Sequence, residues 1–294
     1  LDIKHLQYFI KVSELNSFSR AADELYITQP TISKMIKNLE TELEVELFDR
    51  SRKHFVLTDA GRTILEQAKL IDHAFKNLEM ELDNLTGLKR GHIRIGLPPI
   101  FNARKFLSKV GLFHEKHPGI TFQFVESGSK KIEEDVAGNL LDVGVIVLPT
   151  KEKIFEHFSF MEEDLRLILH ISHPLSKREE VHLSELKNEA FILFNKDFVL
   201  NDRIIHSCSS VGFKPHIISE SAQRSFIKEM VASGFGISLL PESVCNNLSE
   251  NVKSIKIVNP NVSWNLAVIW RKNEYLSYAA KEWLHFMKDQ LTTP

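Results

Sequence analysis

Gln29, Thr31, Ser33, Lys34 and Lys37 form a cluster whose residue types and spacing could read duplex nucleic acid. Glutamine pairs with adenine and lysine with guanine in the major groove, while serine and threonine hydroxyls reach bases or phosphates. On a helix these five positions lie off the stripe made by Ile32, Ile36, Leu39 and Leu43, so the polar side chains share an open face. A second group, Arg50, Ser51, Arg52, Lys53 and His54, is bracketed by Leu47-Phe48 and Phe55-Val56-Leu57. A charged tip between apolar anchors suggests a wing-like hairpin that would touch phosphate, adding affinity but little discrimination.

The elements that must hold these residues are legible nearby. Phe18, Ala21, Ala22 and Leu25 share a helical face, and the two alanines allow a close helix crossing. Tyr26-Ile27 is long enough only for a turn. Thr28 is placed to cap the next helix, and Pro30 falls in its first turn, where a missing N–H costs little. Leu6, Phe9 and Ile10 give an earlier helix that would back the pair. This is a helix-turn-helix pattern, whose second helix meets base edges through its N-terminal part. Periodicity alone favours ordinary core helices of a soluble protein. Bulk charge does not decide, because the chain carries a net −2 and Glu40, Glu42, Glu44, Glu46 and Asp49 crowd the same region. Positive charge is local, at Arg20, Lys34, Lys37 and near Arg50.

From Leu6 to Gly61 the chain resembles, without a gap, the winged helix-turn-helix of LysR-type transcriptional regulators. The specific marks are Ser17-Phe18, Ala21-Ala22, Gln29-Pro30 with Ser33, Leu47-Phe48-Asp49-Arg50, and Leu57-Thr58-Asp59-Ala60-Gly61. The resemblance implies that Gln29, Pro30, Thr31, Ser33 and Lys34 face an operator, with Arg20, Arg50 and Arg52 on phosphates or in the minor groove.

A long helix is predicted next. Thr58 can cap it and Asp59 suits the positive end of its dipole. Ile64, Ala68, Ile71, Phe75, Leu78, Leu82 and Leu85 then recur at spacings of four and three, an a/d seam. At 1.5 Å per residue the rod is roughly 40 Å long. The seam must be covered, by a partner helix or by its own domain. The resemblance favours a linker that pairs two chains, presenting two recognition helices to a palindromic site on double-stranded DNA, with dimers pairing into tetramers. Gly87 and Gly91 around Lys89-Arg90 mark a boundary, giving expected domains of 1–58, 59–88 and 89–294.

Beyond residue 92, strand-like and helix-like runs alternate, which argues for a parallel sheet covered by helices. The runs Ile93-Arg-Ile-Gly96, His117-Pro-Gly119, Gly138 to Asp142, His173-Pro-Leu175 and Gly234 to Pro241 resemble the effector domain of the same family, itself similar to periplasmic solute-binding proteins. The fold class expected is therefore α+β and multi-domain: an N-terminal winged helix-turn-helix, a long linker helix, and a two-lobed α/β domain like a periplasmic binding protein. The first lobe would take about 92–162 and 266–294, the second about 163–265. An effector is expected between the lobes, near strand ends and helix N-termini, where free N–H groups favour an anion. Ser127, Gly128 and Ser129 form one such N-terminus, and Ser221, Ala222 and Gln223 another; simple capping explains the serines equally well. Family positions add Pro99, Ile100, Val147, Phe198, Val199 and Leu200. Their low polarity suggests a small, dry pocket and a small carboxylate.

Asp2-Ile-Lys-His-Leu6 and Thr31 to Asn38 resemble most closely the CidR subgroup, regulators of holin-like genes tied to overflow metabolism. Activation is common in the family.

Other chemistry is weakly supported. The pairs His114/His117 and His170/His173 lack further ligands at metal spacing. Cys208 and His206 are two apart on a helix and do not share a face. Gly234-Phe-Gly236 lacks the third glycine of a dinucleotide loop and reads as a helix end. No catalytic residue, metal or cofactor is expected. Two cysteines suit a reducing cytoplasm, and no apolar run reaches membrane-spanning length. The competing class is a small-molecule binding protein or enzyme on the same lobes; a secretory leader or a charge-lined cleft would favour it, and neither is read.

Overall fold

The computed structural model describes residues 1–49, 56–85, 90–101, 103–150 and 153–292, with the side chains of 80, 81 and 83–85 outside the description. The chain divides into two units, Leu1–Leu88 and Lys89–Pro294.

In the first unit, α1 (Ile3–Leu15), α2 (Phe18–Glu24) and α3 (Gln29–Leu43) precede a short antiparallel pair, β1 (Phe48–Asp49) and β2 (Val56–Leu57), and then α4 (Asp59–Leu85). Phe9, Val12, Ala21, Ile32, Ile36, Leu39 and Leu47 are fully buried in one core. Each large side chain of this kind contributes about 1.5–3 kcal/mol on burial. Short side chains close the helix ends: Asp2 caps α1, Ser17 caps α2 and Thr28 caps α3. The turn between α2 and α3 places Tyr26 at φ 54. Thr58 does two jobs, accepting from Gly61 N at 2.9 Å and donating to the Glu46 carbonyl at 2.6 Å. Gly61 must lack a side chain, because a β-carbon there would stand 2.1 Å from the Leu47 carbonyl oxygen.

The second unit begins with β3 (Gly91–Leu97), α5 (Ala103–Lys116), β4 (Ile120–Glu126), α6 (Ser129–Ala137) and β5 (Val143–Val147). It continues with β6 (Phe155–His170), β7 (Glu180–His182), β8 (Ala190–Phe194), α7 (Val199–Ser210), β9 (His216–Ser221) and α8 (Arg224–Ala232). It ends with β10 (Ser238–Pro241), β11 (Val252–Val258), β12 (Ser263–Arg271) and α9 (Tyr278–Thr292). The main sheet runs β4-β3-β5-β12-β6-β11-β7, with β10 also on β6, and β8 and β9 form a parallel pair.

The expected parallel sheet is found only in part. β4, β3 and β5 are parallel, but β12 runs antiparallel to both β5 and β6. The reason lies in β6, whose 16 residues serve three partners. Its first part, to Asp164, pairs with β12; Leu165 onward pairs with β10 and β11. One strand thus crosses the whole domain. β11 and β7 extend the sheet beyond β6, and Val252-Lys-Ser-Ile-Lys-Ile-Val258 of β11 alternates as a half-buried strand does.

Several family-like runs have structural reasons. Arg94 N donates to Asp142 Oδ2 at 2.7 Å, and its guanidinium reaches Asp142 Oδ1 at 3.3 Å and the Asn139 carbonyl at 2.8 Å. This clamp ties β3 to the turn after α6. The Ile120 N–H donates to the His117 carbonyl at 3.0 Å, closing the Pro118-Gly119 turn.

Candidate nucleic-acid interface and effector cleft

The two faces of α3 separate cleanly. Ile32, Ile36 and Leu39 are fully buried, while Gln29, Pro30, Thr31, Lys34 and Lys37 are exposed and Ser33 half-buried. Thr28 Oγ1 accepts from Thr31 N at 3.4 Å and lies 2.8 Å from Thr31 Oγ1, so the first turn is held by its own hydroxyls. The positive end of the helix dipole points out through the same turn. Neither Lys34 nor Lys37 has an ion pair among the described residues. Such a face offers base-reading donors and acceptors next to free cations.

Two neighbours refine the charge picture. Arg20 is exposed and its guanidinium donates to the Leu15 carbonyl, folding it back over the end of α1. Glu40 is scaffolding: its Oε1 accepts from Leu47 N at 3.0 Å and Phe48 N at 3.4 Å. The acid therefore shapes the entry to the basic segment. Arg50, Arg52 and Lys53 lie outside the described residues.

The seam of α4 divides into two stretches, which corrects the expectation for its first two members. Ala68 is 1 % exposed and Ile64 packs on the first unit's core. Gln7 Nε2 donates to Asp72 Oδ1 at 2.8 Å along the same α1–α4 contact. These turns of α4 are already covered by their own domain, so Ile64 and Ala68 are structural there. Ile71, Phe75, Leu78 and Leu82 are exposed, Leu78 by 57 %. The side chain of Leu85 lies outside the described residues.

In the second unit the expected effector residues are distributed unevenly. Ser127, Gly128 and Ser129 do form the N-terminus of α6, with Gly128 as the cap. Ser129 is 3 % exposed and accepts from Val147 N at 3.3 Å, so its hydroxyl is tied to β5. Phe198 caps α7 and Val199 begins it. Leu200 is fully buried and Ile100 nearly so; both belong to the core and offer almost no surface to a solute. Pro99 is half-buried, and Gln223 is exposed as the cap of α8, its N–H donating to Ser221 Oγ at 3.1 Å.

Val147 and Val199 come together in a groove of about 910 Å³ between α6 and α7. Lys130 and Asp202 pair across it at 2.6 Å. Arg203 was missed by the sequence reading. Its guanidinium donates to the Leu148 and Ser263 carbonyls and lies 5.7 Å over the Trp264 ring. Burial lowers its pKa from the usual arginine value. Nothing in the local sequence signals this role, since both carbonyls are distant in the chain.

The remaining candidates take local roles. Cys208 is fully buried, and burial pushes its thiol up to about 12; Cys245 is pushed up to about 11. Neither offers a thiolate nucleophile near neutral pH. His114 Nδ1 lies 3.0 Å from the Ile120 carbonyl, and His173 caps a short 3-10 turn through Leu175 N. Gly234, at φ 72, closes α8.

A helix-turn-helix with an open polar recognition helix, and a separate α/β domain with a cleft, define a DNA-binding regulator with its own ligand domain. Residues 3–62 match the family described as bacterial regulatory helix-turn-helix protein, lysR family, and residues 86–292 match the LysR substrate binding domain. The chain belongs to the LysR family of transcription regulators, a family of DNA-binding proteins and not of enzymes. It is 50 % identical over 295 residues to the uncharacterized HTH-type transcriptional regulator YwbI of Bacillus subtilis (strain 168), covering 100 % of this chain and 98 % of that one. Full-length CbnR complexed with its target DNA shares the fold at TM-score 0.77 and 20 % identity, covering 99 % of this chain and 100 % of that one. The effector binding domain of QuiR in complex with shikimate aligns at TM-score 0.61 and 23 % identity, covering 67 % of this chain and 95 % of that one. Among the described residues no helix is long and apolar enough to cross a membrane.

Proposed function

We propose that this regulator reads its operator with Gln29, Pro30, Thr31, Ser33 and Lys34 of α3. Lys37, Arg20 and the basic segment Arg50, Arg52 and Lys53 supply phosphate contacts. The carrying observation is the division of α3 into a fully buried apolar face and an open polar one. Two chains pair along Ile71, Phe75, Leu78, Leu82 and Leu85 of α4, and pairs of dimers make the tetramer. A two-fold dimer then meets a palindromic site in the cytoplasm.

The effector is a small carboxylate bound between the two parts of the α/β domain, near Ser127, Gly128 and Ser129. Free N–H groups at the start of α6 favour an anion, and shikimate, the ligand in the QuiR complex, is itself a small carboxylate. Binding there shifts the balance between two arrangements of the domain. The likeness of Asp2 to Leu6 and Thr31 to Asn38 to the CidR subgroup supports control of holin-like genes tied to overflow metabolism.

Selection of bound duplexes from a random pool by the full-length protein tests the central reading. A two-fold symmetric consensus is expected; recovery of sequences no different from the starting pool overturns it.

A further inference from the structure

Arg224 and Lys228 stand one turn apart on α8 and both line a cavity of about 210 Å³, together with Phe101, Ser243, Asn246 and Asn247. Phe101 directly follows Ile100 and Arg224 directly follows Gln223, so the cavity adjoins expected effector positions, but none of the residues that line it is among them. At about 30 Å³ per water the cavity holds about seven waters' volume, enough for a phosphate or a short carboxylate and too little for a nucleotide.

The cations are satisfied by carbonyls, not by acids. Arg224 Nη1 donates to the Phe101 carbonyl at 3.3 Å. Lys228 Nζ donates to the Val244 carbonyl at 2.8 Å and the Asn247 carbonyl at 3.3 Å. Neither has an ion pair with a carboxylate among the described residues. Glu163, behind Ser243, is occupied: its two oxygens accept from Ser243 N at 2.6 Å and from Ser243 Oγ at 2.9 Å. Like charges four apart on a helix repel. The Lys228 ammonium is held below its usual pKa first by burial and then by Arg224. An anion between the two would relieve both effects and form charge-assisted hydrogen bonds.

We propose that this cavity is a second anion site, taking a small oxyanion, phosphate or a short carboxylate, between Arg224 and Lys228. Phe101 follows β3 while Arg224 opens α8, so an anion there fastens the β3–α5 side of the domain to the α8 side. The site goes beyond the effector reading, which places the ligand at the Ser127–Ser129 start of α6, and it does not rest on that reading.

Thermal shift and calorimetry on the full-length protein test this at constant ionic strength, with chloride as baseline and inorganic phosphate, acetate and pyruvate as separate arms. At least one oxyanion is expected to raise Tm above the chloride baseline, and the responding arm tells phosphate from carboxylate. Arg224→Gln and Lys228→Met are expected to weaken that binding at least tenfold. Lys228→Arg and the cleft variant Ser129→Ala are expected to keep it. If Lys228→Met fails to fold, Arg224→Gln, at an exposed position, decides alone. The proposal is overturned if no oxyanion exceeds chloride, or if the shift survives unchanged in Arg224→Gln. Loss of the shift in Ser129→Ala alone places the anion in the cleft and equally overturns it.

Discussion

Gly128 and Asp197 meet so closely that a β-carbon on Gly128 would stand 2.6 Å from the Asp197 carbonyl oxygen. Gly128 caps α6 and Asp197 lies just before α7, so the starts of two helices touch backbone to backbone. Together with the Lys130–Asp202 pair and the Arg203 bonds to Leu148 and Ser263, this contact holds the two sides of the α/β domain together.

Gly128→Ala is therefore expected to wedge these helices apart. Overpacking of this kind costs about 1–3 kcal/mol. The unfolding transition of the α/β domain should move to lower denaturant, while binding of the first unit to DNA is unchanged. An unaltered transition would mean that the two helices separate without cost.

Gly61→Ala tests the other unit. Its β-carbon would overlap the Leu47 carbonyl at 2.1 Å, so the first turn of α4 could no longer pack against the backbone just before β1. A loss on the order of 1–3 kcal/mol is expected. It should appear in the full-length protein as a lower-temperature unfolding transition and as weaker DNA binding.

Phe75→Asp and Ala68→Asp should fail in different ways. Phe75 is 39 % exposed, so a charge there should convert the proposed dimer to a folded monomer by light scattering. Ala68 is 1 % exposed inside its own domain, so the same change should unfold the helix-turn-helix, read by circular dichroism. A Phe75→Asp protein that remains dimeric excludes the outer seam as the pairing surface.

Glu163 gives a pH dependence of stated sign. Burial raises its pKa above the ordinary 4.5, against the opposing hydrogen bonds from Ser243, and Glu242 raises it further. The folded state then holds this proton more tightly than the unfolded one. Its contribution is fully present below pH 4.5 and is lost as pH rises through the higher folded value. Compared with the wild type, Glu163→Gln should flatten the stability–pH curve across that window. Curves that stay parallel would show that Glu163 titrates alike in both states.

The helix-turn-helix was legible because its information is local. Caps at Thr28 and Thr58, the alanine crossing and the stripe at Ile32, Ile36 and Leu39 all lie within a few residues of what they position. The same locality misled the reading of α4: the seam is one continuous pattern, yet Ala68 is buried in its own domain and Ile71 is exposed, although α1 reaches α4 as far as Asp72. In the α/β domain, β3, β5 and the helix starts were readable from alternation and capping. The role of β6 was not, since a strand that changes partners along its length has no local signature. Arg203, Arg224 and Lys228 were invisible for the same reason: their bonds reach carbonyls distant in sequence. Leu200 was assigned to the cleft by position in the family, but its place on α7 turns it into the core.

The most direct test is fluorescence anisotropy of the full-length protein on a selected operator and on a random duplex, at one salt concentration. Ser33→Ala and Lys34→Ala are compared with the wild type. Loss of a base contact is worth about 1–3 kcal/mol. Operator binding should weaken by roughly tenfold or more, with random-duplex binding nearly unchanged for Ser33→Ala and only modestly reduced for Lys34→Ala. Equal losses on both duplexes would contradict base reading by α3.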